Sequence, residues 1–443
     1  MTSTTRSYHP FVENLWSTIG ARARATRWPA IWLALLCIAY VFPGLVGHDP
    51  WKQDETYVTS IIHHMAETQD WVIPTNAGQP FMEKPPLYFV VAQQTAELLA
   101  PWFPMHDGAR LSNVLWIALV LACLGQSARC AWGERRRRAP IAAILTLLSS
   151  VGLVMQAHLL MVDVALLAGF AVALLGFCNI LKRPDRGAVL LGIGTGIGFL
   201  AKGLIAPGCL GVTALLLPLL FQPWRTRSYF KALALAAVVS LPWVVIWPAA
   251  LYFRDQQLFD QWLWRQNFGR FFGYAHFGAD PEPWYYAKTL PWFAFPALPA
   301  ALWALWRRRA AWRDDPPLQL CVTLATIIIV ALSVAGSMRA IYLLPVLLPF
   351  SLLAAAELEH LPDAIQDYSF RAAYLFYGAA AVALWGVCLI IDVAGEPPAW
   401  LELHRVLPLS IIPRAEPSAV ALAVLATAGW LAAITCGGSR SAG

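Results

Sequence analysis

The sequence predicts an all-α polytopic membrane protein, a bundle of about 12 transmembrane helices with two long loops on one face. Three observations carry this. Of 443 residues, 58% are hydrophobic and only 13% charged, against about a quarter charged in globular domains. Apolar runs of about 20 residues, the length a helix needs to cross a bilayer, recur along the chain. Arginine-rich tracts fall between alternate runs, and such tracts mark the cytoplasmic side. With a mean hydropathy of +0.56, disorder, a coiled coil, a secreted disulfide scaffold and an ordinary cytosolic enzyme are excluded. The net charge of +6 reads as basic cytoplasmic loops, and no nucleic-acid partner is expected.

Residues 1–27 read as a cytoplasmic N-terminus. The first apolar run begins near Trp28, after Arg22, Arg24 and Arg27, and has no small-residue cleavage site. It reads as a retained span and not a signal peptide. Further spans are expected at 109–130, 139–158, 162–181, 187–205, 207–222, 231–251, 289–306, 317–336, 341–356, 371–393 and 418–436. The two that meet near Lys202 and Pro207 suggest one broken hairpin. Alternating from an internal N-terminus places ERRRR at 134–138 and WRRRAAWR at 306–313 in the cytoplasm, as the positive-inside rule requires. The eight cysteines lie in or beside apolar runs with no CxxC or Cys/His cluster. They read as small buried hydrophobes.

Two outer loops, 48–108 and 252–288, are long and rich in Trp, Tyr, Phe and Pro. That composition argues against disorder and for segments lying along the membrane interface. After Asp54, Val58, Ile61, Ile62 and Met65 recur at helical spacing, which predicts an in-plane helix. The stretch 85–101 is apolar but too short to span, and two prolines open it, so a second interfacial helix is expected. Residues 28–393 form the main unit. Residues 394–443 read as a short outer loop, a last span and a tail.

Charges that apolar spans do not need gather on the outer side. They are Asp54, Glu55, Glu83, Lys84, Asp163, Lys202, Arg265, Arg270 and Arg339, with His276 and Tyr342 beside them. Ionisable groups near a membrane interior are costly and usually mark function. Each has a plainer reading. Asp54 and Glu55 suit a helix N-terminus, Lys202 and Arg339 suit snorkelling, and Asp163 suits a structural ion pair. Together, an acid pair and several cations around a membrane-level cavity suit an anionic lipid bearing phosphate.

Seven motifs carry a family resemblance. They are DETYVTSIIHHMAETQDWVIPTNAGQPFMEKPPLYF at 54–89, ARLSNVLW at 109–116, LLMVDVALL at 159–167, FLAKGLIAPG at 199–208, NFGRFFGYAH at 267–276, PWYYAKTLPWF at 283–293 and SMRAIYLLP at 337–345. In this order the chain resembles the membrane glycosyltransferases of the aminoarabinose-to-lipid-A transferase and protein O-mannosyltransferase group. The resemblance implies the GT-C fold over 28–393. It also implies a polyprenyl-phosphate-sugar donor and a lipid or glycan acceptor, such as lipid A. The site would face the periplasm of a bacterial inner membrane.

The resemblance further implies that Asp54 is the catalytic acid of the first loop and Asp163 the second acid, with Glu55 a further candidate. Lys84, Lys202 and Arg270 would bind the lipid phosphate. Tyr342, Arg339, Arg265, Glu83 and His276 would line the substrate site. No cofactor is expected. Glu83 and His276 are the two side chains placed to hold a divalent metal, and two do not make a site. Relatives in this group usually carry Lys where Arg339 stands, often carry His where Asn267 stands, and end in a soluble periplasmic domain, whereas the outer loop here is short. The acceptor therefore stays open. Two rival readings are a flippase of the same carrier and an O-antigen ligase or polymerase. The sequence has no internal repeat of the kind common in transporters, and an unrelated ligase would make the EKPP and AKG motifs accidental.

Overall fold

The computed structural model describes residues 28–50, 52–133, 136–275, 282–394 and parts of 420–431. The chain forms two compact units, Met1–Glu359 and His360–Gly443. In the first, α1 (Trp28–Val41) is followed by α2 (Gln53–Thr68), a two-stranded hairpin (β1 Thr75–Asn76, β2 Gln79–Pro80) and α3 (Leu87–Leu99). Next come α4 (Met105–Arg110), α5 (Ser112–Trp132), α6 (Ala139–Leu148) and α7 (Val151–Gln156). They are followed by α8 (Asp163–Ile180), α9 (Pro184–Lys202), α10 (Ile205–Leu220) and α11 (Arg227–Arg254). After α12 (Gln256–Asp260) comes a π-helix (Gln261–Gly269), then α13 (Arg270–Phe272), α14 (Tyr285–Phe293), α15 (Ala297–Arg308) and α16 (Pro316–Val334). A 3₁₀ segment (Ala340–Val346) leads into α17 (Leu347–Glu357). The second unit contains α18 (Asp363–Ala394), and its Trp385 Nε1 donates to Thr427 Oγ1 at 3.2 Å.

The all-α class expected from the sequence is the one observed, the small hairpin apart. Among the described residues, five helices are long and apolar enough to cross a membrane, or six if α14 and the segment from Ala297 form one span bent by 92°. The run at 139–158 is not one helix. It breaks between α6 and α7, where the Ser149 and Ser150 hydroxyls both donate to Thr146 O, at 3.1 and 2.8 Å. Such side-chain bonds compete with the helix ladder for its carbonyls. The run at 289–306 bends at Pro296, which has no N–H to continue the ladder.

Packing of α8 against α9 sets the register that matters most. Gly169 and Gly176 on α8 face Gly187 and Gly194 on α9. A Cβ on Gly169 would lie 2.5 Å from Gly198 N, and one on Gly194 would lie 2.4 Å from Ala173 N. Small residues let two helix backbones meet this closely. The hairpin is antiparallel, so the same register continued towards its open end brings the start of α8 beside the end of α9. Asp163 and Lys202 meet there.

A helix forms after Lys52, as expected: it is α2, and Val58, Ile61, Ile62 and Met65 form its buried face. The second expected interfacial helix is α3, seated on Tyr88, Phe89, Ala92, Gln93 and Ala96. Between them the β1–β2 hairpin turns through Ala77 and Gly78, both with positive φ. That is the backbone of a type I′ turn. A small second core is formed by Met82, Phe199, Trp247, Leu251 and Trp262, and Met82 directly precedes Glu83 in the chain. The basic tracts gather at the opposite end. Arg136 Nη2 and Arg308 Nη1 both donate to Glu357 Oε1, at 2.8 and 3.2 Å, and Trp132 Nε1 donates to Leu352 O at 3.0 Å.

Candidate active site

The cluster starts from Asp54 in the first turn of α2, where a carboxylate is favoured by the helix dipole. Its two oxygens accept from the guanidinium of Arg339, one of them at 3.2 Å, in a forked pair. Arg339 is placed by Tyr286 of the PWYY motif, whose hydroxyl bonds the Arg339 backbone N–H at 3.3 Å. Three residues beyond Asp54, on the same face of α2, Tyr57 accepts from Lys84 Nζ at 2.7 Å. The Tyr57 hydroxyl also helps to favour the ionised Asp54 carboxylate. Lys84 is buried and lies 3.6 Å from the neighbouring Glu83 carboxylate. Glu83 in turn accepts from Arg270 Nη1 at 2.7 Å. Lys202 pairs with Asp163 and sits 3.9 Å over the Tyr342 ring.

These pairs form one electrostatic unit. Lys84 acts on Asp54, Lys202 on Glu83, and Asp163 on both Lys84 and Arg339. Burial pushes the Asp54 carboxyl up, but the Arg339 hydrogen bond and charge, with Lys84, outweigh it and hold Asp54 below the usual range. For Glu83, burial is again outweighed, by Lys84 and Arg270, and its pKa lies at about 2. Burial alone would lower the Lys84 ammonium; Tyr57, Glu83 and Asp163 reverse this and raise it. Both acids and the lysine are therefore charged at neutral pH.

The break after α9 aims Lys202. Gly203 ends the helix at φ 75°, and a Cβ there would lie 2.4 Å from Asn267 Oδ1. Asn267 caps the next turn, accepting from Leu204 N–H at 3.2 Å and donating to Trp262 O at 2.8 Å. It thereby joins the Lys202 turn to the π-helix that precedes Arg270. In that helix the Arg270 N–H reaches Arg265 O, five residues back. π-turns of this kind are frequent at functional sites. The Arg265 side chain is exposed. His276 lies outside the described residues. Among the described residues, no three His, Cys, Asp or Glu side chains gather to hold a metal.

Glu55 does not join the cluster, contrary to its expected place among the catalytic carboxylates. Successive helix residues point about 100° apart, so Asp54 faces the cluster and Glu55 the core. The Glu55 side chain is fully buried against Arg110. Sequence reading also passed over Tyr57, Tyr286, Arg110 and Asn113. The first has a signal in the sequence, since it stands three residues after Asp54 on the polar edge of an amphipathic helix. A separate cavity of about 440 Å³, lined by Lys182, Trp224, Arg308 and Asp315 among others, lies among the basic tracts and away from these groups.

Residues 83–248 match the family model of dolichyl-phosphate-mannose-protein mannosyltransferases. The chain is 26% identical to the undecaprenyl phosphate-alpha-4-amino-4-deoxy-L-arabinose arabinosyl transferase of Serratia proteamaculans, over 91% of this chain and 70% of that protein. The corresponding Yersinia pestis protein is 28% identical over 90% of this chain and 70% of its own length. Among solved structures, ArnT from Cupriavidus metallidurans bound to undecaprenyl phosphate superposes with a TM-score of 0.70 at 21% identity. The chain is thus similar to the aminoarabinose transferases, and it shares the fold of the solved one. The match covers 81% of this chain and 65% of the solved one, so the chain spans about two thirds of that relative's length. All the cluster residues named above lie in the first compact unit.

Proposed function

We propose that the protein moves a sugar from a polyprenyl-phosphate donor to lipid A, or to another cell-envelope glycolipid or glycan, on the periplasmic side of the bacterial inner membrane. One observation carries the reading. Lys84, Lys202 and Arg270 gather with Asp54 and Asp163 in one electrostatic cluster at one end of an apolar helical bundle. The relatives' names supply the donor class: they act on undecaprenyl-phosphate-linked aminoarabinose.

In the transfer, an acceptor oxygen bonds to the anomeric carbon of the sugar. The bond from that carbon to the phosphate oxygen breaks, and the lipid phosphate leaves with the electron pair. Negative charge grows on the phosphate, and fixed cations aimed at it lower the barrier. Lys84, Lys202 and Arg270 fill that role here. Asp54 is held ionised by Arg339 and is a weak proton acceptor. It suits orienting an acceptor that is already ionised, or balancing positive charge at the anomeric carbon, better than removing a hydroxyl proton. This favours a phosphate acceptor.

The test is transfer by purified protein, with labelled undecaprenyl-phosphate-aminoarabinose and lipid A as probes. Label should appear on lipid A with release of undecaprenyl phosphate. Protein that binds undecaprenyl phosphate but moves no sugar to any envelope acceptor would sink the reading and favour a flippase.

A further inference from the structure

We propose that Glu55 and Arg110 are a positioning pair that fixes two carboxylates of the cluster, Asp54 and Asp163, relative to one another. The proposal rests on the transfer reading above. Glu55 follows Asp54 on α2. Its Oε1 accepts from Arg110 Nε at 3.1 Å and from the backbone N–H of Leu160 at 3.0 Å. Leu160 belongs to the short segment between α7 and α8 that ends at Asp163. One oxygen atom thus ties the helix bearing Asp54 to the segment bearing Asp163.

Other bonds hold the same segment. Asn113 Nδ2 donates to Ala157 O at 3.2 Å and Leu159 O at 2.8 Å, while its Oδ1 accepts from Tyr88 at 2.9 Å. Arg110 Nη1 donates to His48 O and Asp107 Oδ1, both at 2.8 Å. Asp107 Oδ2 accepts from Gly47 N–H at 2.9 Å. The pair therefore fastens α2, α4, the Asp163 segment and the chain leaving α1 at one point. Both side chains have no exposure to solvent, so neither can touch a substrate.

A buried ion pair adds little net stability over apolar residues of the same size. What an apolar pair cannot do is accept from Leu160 N–H. The pair accordingly matters for geometry more than for stability. Misplacing a reacting group by about 1 Å can cost about 100-fold in rate.

The experiment compares wild type, Glu55→Gln and Glu55→Met; in both variants Arg110 keeps Asp107 as its counter-charge. Three readouts are taken on the full detergent-solubilised chain: undecaprenyl phosphate affinity by calorimetry, the split between kcat and donor KM, and amide exchange over 157–163. The expected result for Glu55→Met is unchanged affinity and KM, kcat reduced about 10- to 100-fold, and faster exchange at Leu160. Glu55→Gln, whose amide oxygen can still accept from Leu160 N–H, should stay close to wild type in all three. Should Glu55→Met fail to fold, Glu55→Ala, which removes the same acceptor without adding volume, carries the test. A folded Glu55→Met or Glu55→Ala with wild-type kcat, or with unchanged exchange at Leu160, overturns the proposal. Wild-type protein that transfers no sugar would instead defeat the transfer reading, and the exchange data would still decide whether Glu55 holds the Asp163 segment.

Discussion

Asp54 and Asn differ by one charge at nearly constant shape, which makes Asp54→Asn the sharpest single substitution. The variant is expected to fold, to bind undecaprenyl phosphate and to lose transfer by roughly 10²–10³-fold, the usual scale for a lost preorganised electrostatic contact. Near-normal turnover would reduce Asp54 to a helix cap, since Asn caps about as well as Asp. The cations give a complementary result. Lys84→Ala, Lys202→Ala and Arg270→Ala should each weaken undecaprenyl phosphate binding by about 1.5–3 kcal/mol, measured by calorimetry. Lys202→Arg should also be harmful, because a fork cannot replace a point charge set over the Tyr342 ring. Glu83 adds a pH signature. Lys84 and Arg270 depress its folded pKa from 4.5 to about 2, so its stabilisation is complete above pH 4.5 and disappears as pH falls towards 2. Thermal melts of wild type and Glu83→Gln should differ at pH 7 and converge as pH drops through that window. The chemistry of the cluster was legible in the sequence because charge among apolar runs is conspicuous. The fate of Glu55 was not. It depends on which face of α2 turns inward, and the partner that buries it, Arg110, sits on another helix.

Helices were read from the apolar runs because membrane length and hydropathy constrain them strongly. Three features carry no such signal. The β1–β2 strands have two residues each, too few for an alternation. The π-helix differs from an α-helix only in its hydrogen-bond step. The break at Ser149–Ser150 depends on hydroxyls that would be tolerated in a helix elsewhere. The α8–α9 register is intermediate. Gly169 and Gly176, and Gly187 and Gly194, share a seven-residue spacing that marks a helix face, but pairing the two faces needs the fold. The turn that follows α9 is the element whose geometry the donor site depends on most. Gly203 combines φ 75° with ψ −142°, a region almost confined to glycine, where other residues cost about 1–3 kcal/mol. An added Cβ would also displace Asn267. Gly203→Ala is therefore expected to lower both the melting temperature and undecaprenyl phosphate affinity. Gly211→Ala, where an added Cβ meets nothing, should change neither.

At the scale of the molecule, the site and the basic tracts lie at opposite ends of the same helices. α5 runs from Ser112, next to Arg110 and the Glu55 network, to Trp132 beside the 134–138 tract. Its 21 residues, at about 1.5 Å each, span about 30 Å, the thickness of a bilayer core. α8 starts at Asp163 and ends just before Lys182. α17 starts beyond Tyr342 and ends at Glu357, which holds Arg136 and Arg308. Three helices thus repeat one polarity, with the acids and cations of the cluster at one end and paired arginines at the other. The basic end is expected in the cytoplasm by the positive-inside rule, which supports the proposed periplasmic placement of the cluster. A single pair of cysteine substitutions in a cysteine-free background tests this. Gln79 is exposed on the hairpin before Glu83, and Ala310 is exposed within the 306–313 tract. In intact spheroplasts an impermeant thiol reagent should label Gln79→Cys and spare Ala310→Cys until the membrane is permeabilised. The reverse pattern would invert the protein. A periplasmic lipid-linked donor could then not reach Lys84, Lys202 and Arg270, and the proposed acceptor would have to be sought on the cytoplasmic leaflet.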